Sequence, residues 1–448
     1  MTSSGGSRRR APLHTMRRIV LTLILSGLAG GLAAQEPWSL DRCIAYGLEH
    51  NTGIREQDIA IEIRRAELQQ MRGALLPVIR AGIGQDWNWG RSVDMQELLI
   101  IKNKLTKATG ASLNASAALF EGFSRHHARL AAKEAVSAAR HDAAQLREDL
   151  CIDITRAYLQ LMLAKQILSH ALESLSAIEQ QRERTAGLVE AGSQPKTALS
   201  EMEAQVASEK AAMVEASCRV RSATLALTRL MNLPPGEAFA TGEAFSEMQA
   251  DMPVPPVSEA QVEAYLLTAP ELQRAQADLA QMRHRHAHAK AAFLPRLLLS
   301  GSYGTYYSST AGESFRTQLD ENRNPSLSLQ LEIPVFQALQ ASTQLKKSRL
   351  ACDQAQLEVE KARIRISDEI RSAVIEADNS YQQYRSAEET LHAMQSLLEV
   401  TEAKYNLGAA SALDYILARN NHAKAVSDFL QAKWQYLFRH KLLEHYLR

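Results

Sequence analysis

The stretches LPRLLLSGSYGTYYSS (294–309) and NPSLSLQLEIPVF (324–336) interrupt an otherwise helical sequence pattern. Leu297, Leu299, Tyr303 and Tyr307 share one parity, against Ser300, Ser302 and Ser308 on the other. In the second run Leu327, Leu329, Leu331 and Ile333 alternate with Ser326, Ser328, Gln330 and Glu332. A period of two places each set on one face of a strand, which predicts strands over about 296–308 and 326–333. Two strands alone make no stable sheet, so the rest of the chain must complete it.

A second pair lies upstream. From 78 to 90, Ile79, Ala81, Ile83, Trp87 and Trp89 oppose Arg80, Asp86 and Asn88; from 111 to 120, Leu113, Ala115, Ala117 and Leu119 oppose Ser112, Asn114 and Ser116. The two regions belong to an internal repeat. Leu76-Pro77 corresponds to Leu294-Pro295 at a separation of about 218 residues, and beyond the strands Phe120 matches Phe336 and Gly192 matches Gly408 at about 216. The difference falls in the connection between strands, where length changes are best tolerated. Each half reads as helix, strand, loop, strand, very long helix, turn and helix.

The Pro-free run from Gly122 to Val189 would reach roughly 100 Å as a helix. Its apolar positions Ile154, Tyr158, Leu161, Leu168, Leu172 and Leu175 follow a coiled-coil spacing, as do Ile366, Ile370, Ala373, Ala377, Tyr381 and Tyr384 in the second half. Ser39 is positioned to cap a first helix, and Ser258 with Gln261 forms a capping-box signal. The chain therefore divides into 1–34, a first repeat 35–231, a Pro- and Gly-rich connection 232–257, and a second repeat 258–448.

Residues 1–34 read as a secretory signal: Arg17-Arg18, an apolar core from Ile19 to Leu25, then small residues to Ala34, with Met1 to Thr15 as an upstream extension. Nowhere else is an apolar run long enough for a membrane-spanning helix. A net charge of +1, with 23% charged residues, gives no field favouring nucleic acid. Cys43, Cys151, Cys218 and Cys352 are widely spaced within helical patterns, which predicts buried or interfacial free thiols. No catalytic or cofactor signature is present: H-E-x-x-H, the phosphate-binding P-loop and G-x-S-x-G are all missing. His284 and His288, spaced i, i+4, are weak metal candidates beside His286, because Arg283, Arg285 and Lys290 suggest a solvated basic face.

Each strand is long enough to cross a bilayer core when tilted, and the alternation matches the lipid-out, lumen-in pattern of an outer-membrane barrel. Trp87, Trp89, Tyr303, Tyr306 and Tyr307 suit an aromatic girdle; Arg80, Asp86, Asn88 and Glu332 would line the lumen. Hydrocarbon tolerates no open sheet edge. Four strands are too few to close a barrel, so a membrane reading requires copies of the chain to share one. The competing reading is a periplasmic coiled-coil scaffold or adhesin-like stalk without a pore.

The signal, the two unequal copies, and the turns Leu188-Val189-Glu190-Ala191-Gly192 and Tyr405-Asn406-Leu407-Gly408 resemble the TolC family of outer-membrane efflux proteins over Trp38 to about Tyr446. The resemblance implies a mainly α fold with a membrane β-barrel. In it a homotrimer forms a twelve-stranded β-barrel in outer-membrane lipid, continued by an α-helical barrel in the periplasm. It implies no cofactor. It also implies a periplasmic adaptor (membrane fusion) protein and an inner-membrane pump of RND or ABC type, together exporting drugs, metals or proteins. Tyr405, Gly408 and Asp414 match the family's second tip and would form the periplasmic gate, with Tyr405 holding neighbouring helices through a hydrogen bond and Asp414 supplying a negative ring. Leu188, Val189, Gly192, Ser193, Leu407, Ala409 and Ala410 would meet the adaptor. Departures from the family at Ala198, Ala410 and Leu417 imply a less charged entrance with partly different locking contacts. Without the resemblance, Gly408 reads as a helix C-cap, Tyr405 as a packed ring and Asp414 as a first-turn acid complementing the helix dipole.

Overall fold

A computed structural model describes residues 37–93, 100–237, 239–242 and 253–447. The signal segment and part of the 232–257 connection lie outside the described residues. The first helices are α1 (Leu40–His50), capped by the Ser39 hydroxyl on the Arg42 amide, and α2 (Thr52–Gly73), capped by Asn51. Strands β1 (Val78–Val93) and β2 (Ile100–Glu121) lead to α3 (Ser124–Glu190) and α4 (Lys196–Leu230). The second half repeats this order with α5 (Glu259–Thr268), which carries the complete Ser258–Gln261 capping box, and α6 (Pro270–Lys290). Then come β3 (Arg296–Ser308), a short α7 (Phe315–Glu321), β4 (Asn324–Glu332), α8 (Gln340–Asn406) and α9 (Ala412–Leu447). Both α3 and α8 are 67 residues long, about 100 Å.

The four strands form one antiparallel sheet in the order β1-β2-β3-β4. The adjoining helices pack in the matching order α2-α3-α6-α8. The sheet therefore continues into a wall of helices without rearrangement. At both strand-to-helix corners the chain turns through two residues of positive φ, Gly122-Phe123 (58° and 62°) and Ala338-Leu339 (44° and 65°), one repeat apart. A Cβ on Gly122 would stand 2.8 Å from Leu294 Cβ, so this corner needs glycine for space as well as for φ.

The register sorts the strand residues into two faces, because directly opposed residues point the same way. One face carries the rows Ile79–Ala115–Gly301–Leu327 and Ala81–Leu113–Tyr303–Pro325, extended by Ile83, Trp87, Trp89, Leu299 and Leu329. The other carries Arg80–Asn114–Ser302–Ser326 and Val78–Ser116–Ser300–Ser328. The apolar face has no cover within the chain: Ile83 is 85% exposed, Trp89 77% and Leu327 79%. Three details differ from the sequence reading. β2 begins at Ile100 rather than near 111, because backbone pairing with β1 carries the ladder past the apolar alternation, through Gln85–Thr109 and Trp87–Lys107. The parity of β2 breaks at a bulge between Ala118 and Phe120, so Leu119 leaves the register and Phe120 pairs with Leu297. Tyr306 lies on the polar parity of β3, opposite Gly110, and not with Tyr303 and Tyr307.

The main apolar core sits halfway along the helices, where Cys43, Ile54, Ile154, Tyr158, Leu161, Leu227, Met231, Trp434 and Tyr436 pack together. Trp38 and Thr241 join in a single parallel bridge, fixed to α3 by Tyr158, whose hydroxyl donates to the Trp38 carbonyl, and by Lys165 Nζ, 2.5 Å from Thr241 Oγ1. Beyond the strands, α7 is pinned by the buried Gln318 side chain, which accepts from the Ser308 amide and donates to the Glu313 carbonyl. Farther down α3 the buried seam runs through Ala171, Ser174, Ile178, Gln181 and Thr185; Leu172, expected in it, is 49% exposed. Leucine at about the right spacing was a poor guide because, apart from Ile178, these seam positions are small or polar. In α8 Ile366, Ile370, Ala373, Ala377 and Tyr384 are buried as their spacing predicts. All four cysteines are free; Cys43 is buried, with burial pushing its thiol up to about 12, whereas Cys218 is exposed, contrary to expectation.

A Cβ on Gly47 would lie 2.4 Å from Ile154 Cδ1 and 3.8 Å from Ile154 Cγ1. Gly47→Ala should therefore cost about 1–3 kcal/mol by overpacking. In an Ile154→Val background, which lacks Cδ1, most of that cost should vanish. A double-mutant cycle by thermal denaturation checks this, and additive effects would show that the two residues do not share this space.

Candidate functional site: the helical tips and the polar sheet face

The two hairpin turns have the same construction. At the first, the Gly192 amide donates to Val189 O (3.1 Å) and the Ser193 amide to Leu188 O (2.8 Å). At the second, the Gly408 amide donates to Tyr405 O (3.0 Å) and the Ala409 amide to Lys404 O (2.8 Å). This pair of bonds is a Schellman motif, which requires positive φ at the residue after the cap. Gly192 and Gly408 supply it with φ of 72° and 74°. Nothing lies within 4 Å of the position a Cβ would take at either glycine, so the demand is on the backbone alone. Leu407 is 85% exposed and Leu188 37%; Gly192, Ser193 and Ala409 are also exposed, while Val189 and Ala410 are half-buried.

Just above the turns, Tyr405 is 2% exposed and joins the two hairpins. Its hydroxyl lies 3.1 Å from Thr185 Oγ1, which itself donates to the Gln181 carbonyl, and it donates to Gln194 Oε1 at 3.3 Å. Its ring stacks on Tyr415, with centroids 5.3 Å apart and planes 15° from parallel. Ile178, Ala198, Met202, Val206 and Ala412 complete the cluster. Farther from the turns the joint stays polar. Buried Arg419 donates to the carbonyl and hydroxyl of Ser174, and Gln205 donates to Asn420 Oδ1 at 2.9 Å and to Glu209 Oε1 at 3.1 Å. Beside Arg419, His170 and His422 have ring centroids 6.3 Å apart. Burial, then the facing His422, lowers the pKa of His170; burial, then Arg419, lowers that of His422.

Thr185, Gln194, Tyr415 and Arg419 did not stand out in the sequence. The partners of Thr185, Gln194 and Arg419 lie more than two hundred residues away, Tyr415 stacks on Tyr405 across its own turn, and the one local signal was polar residues at seam positions of α3. Asp414 is solvent-exposed and closes a capping box at the start of α9: its carboxylate accepts from the Ser411 hydroxyl (2.7 Å) and amide (3.1 Å), and its own amide donates to the Ser411 hydroxyl. Those bonds hold its carboxyl below the usual range.

Arg80, Asp86, Asn88 and Glu332 share the polar sheet face, Glu332 standing opposite Arg296. That face is stitched by Ser302 and Ser326, whose hydroxyls are 2.7 Å apart, and by Asn114 to Ser112. His284 and His288, one turn apart on α6, have separate contacts: the His284 ring lies 6.0 Å from that of His127, and His288 Nδ1 lies 3.0 Å from Ser124 Oγ and 3.1 Å from Ser124 O. Among the described residues no three His, Cys, Asp or Glu side chains form a metal-binding group.

Two measurements test the tip. Gly408→Ala should cost about 1–2 kcal/mol through its positive φ alone, and Gly408→Asn less, read by local hydrogen exchange around the turn. Because the folded carboxyl of Asp414 titrates below its unfolded value, its contribution to α9 is present above the unfolded pKa and lost as pH falls through the folded one. Exchange protection of the first α9 turn should therefore weaken with acid in this range, whereas the Asp414→Asn variant should show no such step.

Comparison with known proteins accords with this geometry. The chain is 23% identical over 433 residues to the outer membrane protein TolC of Escherichia coli K12, covering 94% of this chain and 84% of that protein. Its fold superposes on crystal structures of CusC (TM-score 0.80, 18% identity, 93% of this chain and 95% of that one) and of the Campylobacter jejuni CmeC outer membrane channel (TM-score 0.80, 19% identity, 91% and 85%). The match to the outer membrane efflux protein family spans residues 46–233 and 262–446, one segment for each repeat, and the chain belongs to that family.

Proposed function

We propose that three copies of this outer-membrane efflux protein close a twelve-stranded barrel, and that the joined helices form a periplasmic duct opened by an adaptor and an inner-membrane pump. The observation that carries the reading is a four-stranded sheet with an exposed apolar face and two open edges, β1 and β4. In hydrocarbon each unpaired backbone group costs several kcal/mol, so β1 of one copy must pair with β4 of the next until the ring closes. With Ile83, Trp87, Trp89, Leu327 and Leu329 toward lipid, the Arg80, Asp86, Asn88 and Glu332 parity lines a wetted lumen. A pore-free scaffold would give no reason for so large an uncovered apolar sheet.

The tips suit a gate. The two hairpins meet there through Tyr405–Thr185, Tyr405–Gln194, Arg419–Ser174 and Gln205–Asn420; neutral bonds of this kind are worth about 0.5–1.5 kcal/mol each, and those of a charged group such as Arg419 about 1.5–3 kcal/mol. Such contacts can be exchanged for water when a partner binds the tip. Three Asp414 carboxylates around the axis would favour cations at the entrance. The exposed turns 188–193 and 407–410 are the surface offered to the adaptor.

The protein should require detergent for extraction, run as a trimer, and conduct ions in planar bilayers; a water-soluble monomer without conductance would sink this reading. The pair Tyr405→Phe with Thr185→Val should raise conductance several-fold by loosening the tip. Asp414→Asn should weaken block by multivalent cations added from the periplasmic side, and unchanged block would remove Asp414 from the entrance.

A further inference from the structure

Directly beneath the sheet, where α6 turns into β3 and α8 passes alongside, lies a cavity of about 680 Å³ lined by Arg285, His288, Arg296, Lys347, Ser124 and Ser348. Three of these groups are cations, and among the described residues none of the three has an ion-pair partner. The one carboxylate on the lining, Glu121, is engaged by Arg125 Nε at 2.7 Å. In the strand register Arg296 stands between Glu121 and Glu332, with no ion pair to either among the described residues. Asp278, lower on α6, lies 3.7 Å from Arg274, and the charge of Arg285 also acts on its carboxyl. Arg285 and His288 also face the adjoining groove, where Arg64 is held by Glu67 at 2.9 Å. The lining thus carries three cations against one carboxylate that is already engaged by Arg125, an excess of positive charge.

A second feature has the same sign. Ser124 opens α3, a 67-residue helix whose cap position, Phe123, makes no side-chain hydrogen bond to the first turn. Uncapped first-turn amides and the positive end of the helix dipole favour an anion there. The donors differ in kind. Two guanidinium groups offer paired N–H bonds matched to the spacing of oxyanion oxygens, and the Lys347 ammonium acts as a point charge. The Ser348 hydroxyl donates to Leu345 O and lies 2.9 Å from His286 Nδ1, so it contributes shape more than bonding.

We infer that this junction cavity binds a phosphate oxyanion, carried by a phosphorylated solute or by a phospholipid headgroup. The cavity is formed within one chain, so the inference does not depend on the trimer or on the gate. Inorganic phosphate is much smaller than the cavity, so a larger polyphosphate should bind more tightly than phosphate itself.

The test uses the full chain in uncharged detergent, titrated with inorganic phosphate and with tripolyphosphate by calorimetry. A parallel arm uses mixed micelles containing phosphatidylglycerol or phosphatidylcholine, with retained lipid counted by mass spectrometry. The expected result is saturable binding, weakened at least tenfold by Arg285→Gln with Lys347→Gln and unchanged by Lys361→Gln, whose ammonium is already held by Glu358. Loss confined to tripolyphosphate identifies a solute site, and loss confined to phosphatidylglycerol a lipid site. Should the double variant misassemble by circular dichroism or size, Lys347→Gln alone takes its place. Failure of every phosphate probe to bind saturably, or binding indifferent to these substitutions, overturns the inference.

Discussion

Edge closure is the constraint on which this structure depends. A sheet with one apolar face and two unpaired edges is unstable in water, where the face is uncovered, and in hydrocarbon, where the edges are. Partnering β1 with β4 of another copy removes the second objection, and lipid against the apolar face removes the first. Because the order β1-β2-β3-β4 continues as α2-α3-α6-α8, whatever closes the strands into a ring also sets the helices around the same axis. The helical wall needs no separate closure rule.

Along the helices the nature of the packing changes. Midway, Ile154, Leu161, Met231 and Tyr436 build an apolar core. Toward the turns the seam of α3 passes to Ser174, Gln181 and Thr185, and Arg419 is buried on hydroxyl and carbonyl oxygens. Apolar contacts lose their whole stabilisation when wetted, whereas polar ones are partly replaced by water. One chain thus combines an apolar waist with a polar joint near its turns, the property on which the proposed opening relies.

Much of this was legible in the sequence, for reasons particular to each element. The alternation of Leu327, Leu329 and Leu331 with serines admits one reading because a strand has a period of two. Gly192 and Gly408 were identifiable because a long helix that reverses needs positive φ. The repeat gave each of these a twin. Illegible were features set by pairing across the chain: the bulge at Leu119, the extension of β2 back to Ile100, and the Tyr405–Thr185 contact over 220 residues. Leu172 misled because hydrophobicity marks burial against any neighbour, and within one chain that residue is only half covered.

The two strand pairs are unequal. β1 and β2 run 16 and 22 residues, against 13 and 9 for β3 and β4. At about 3.3 Å per residue the first pair stands well over 10 Å taller at the end away from the helices. In a closed ring of three copies the outer rim would then be a crown, with three raised hairpins separated by three low notches beside α7. Anything approaching from outside would meet the raised hairpins first and reach the mouth through the notches. The two repeats differ here by only two residues, so the relief would come from the second placing in α7 and its flanking turns what the first places in strand.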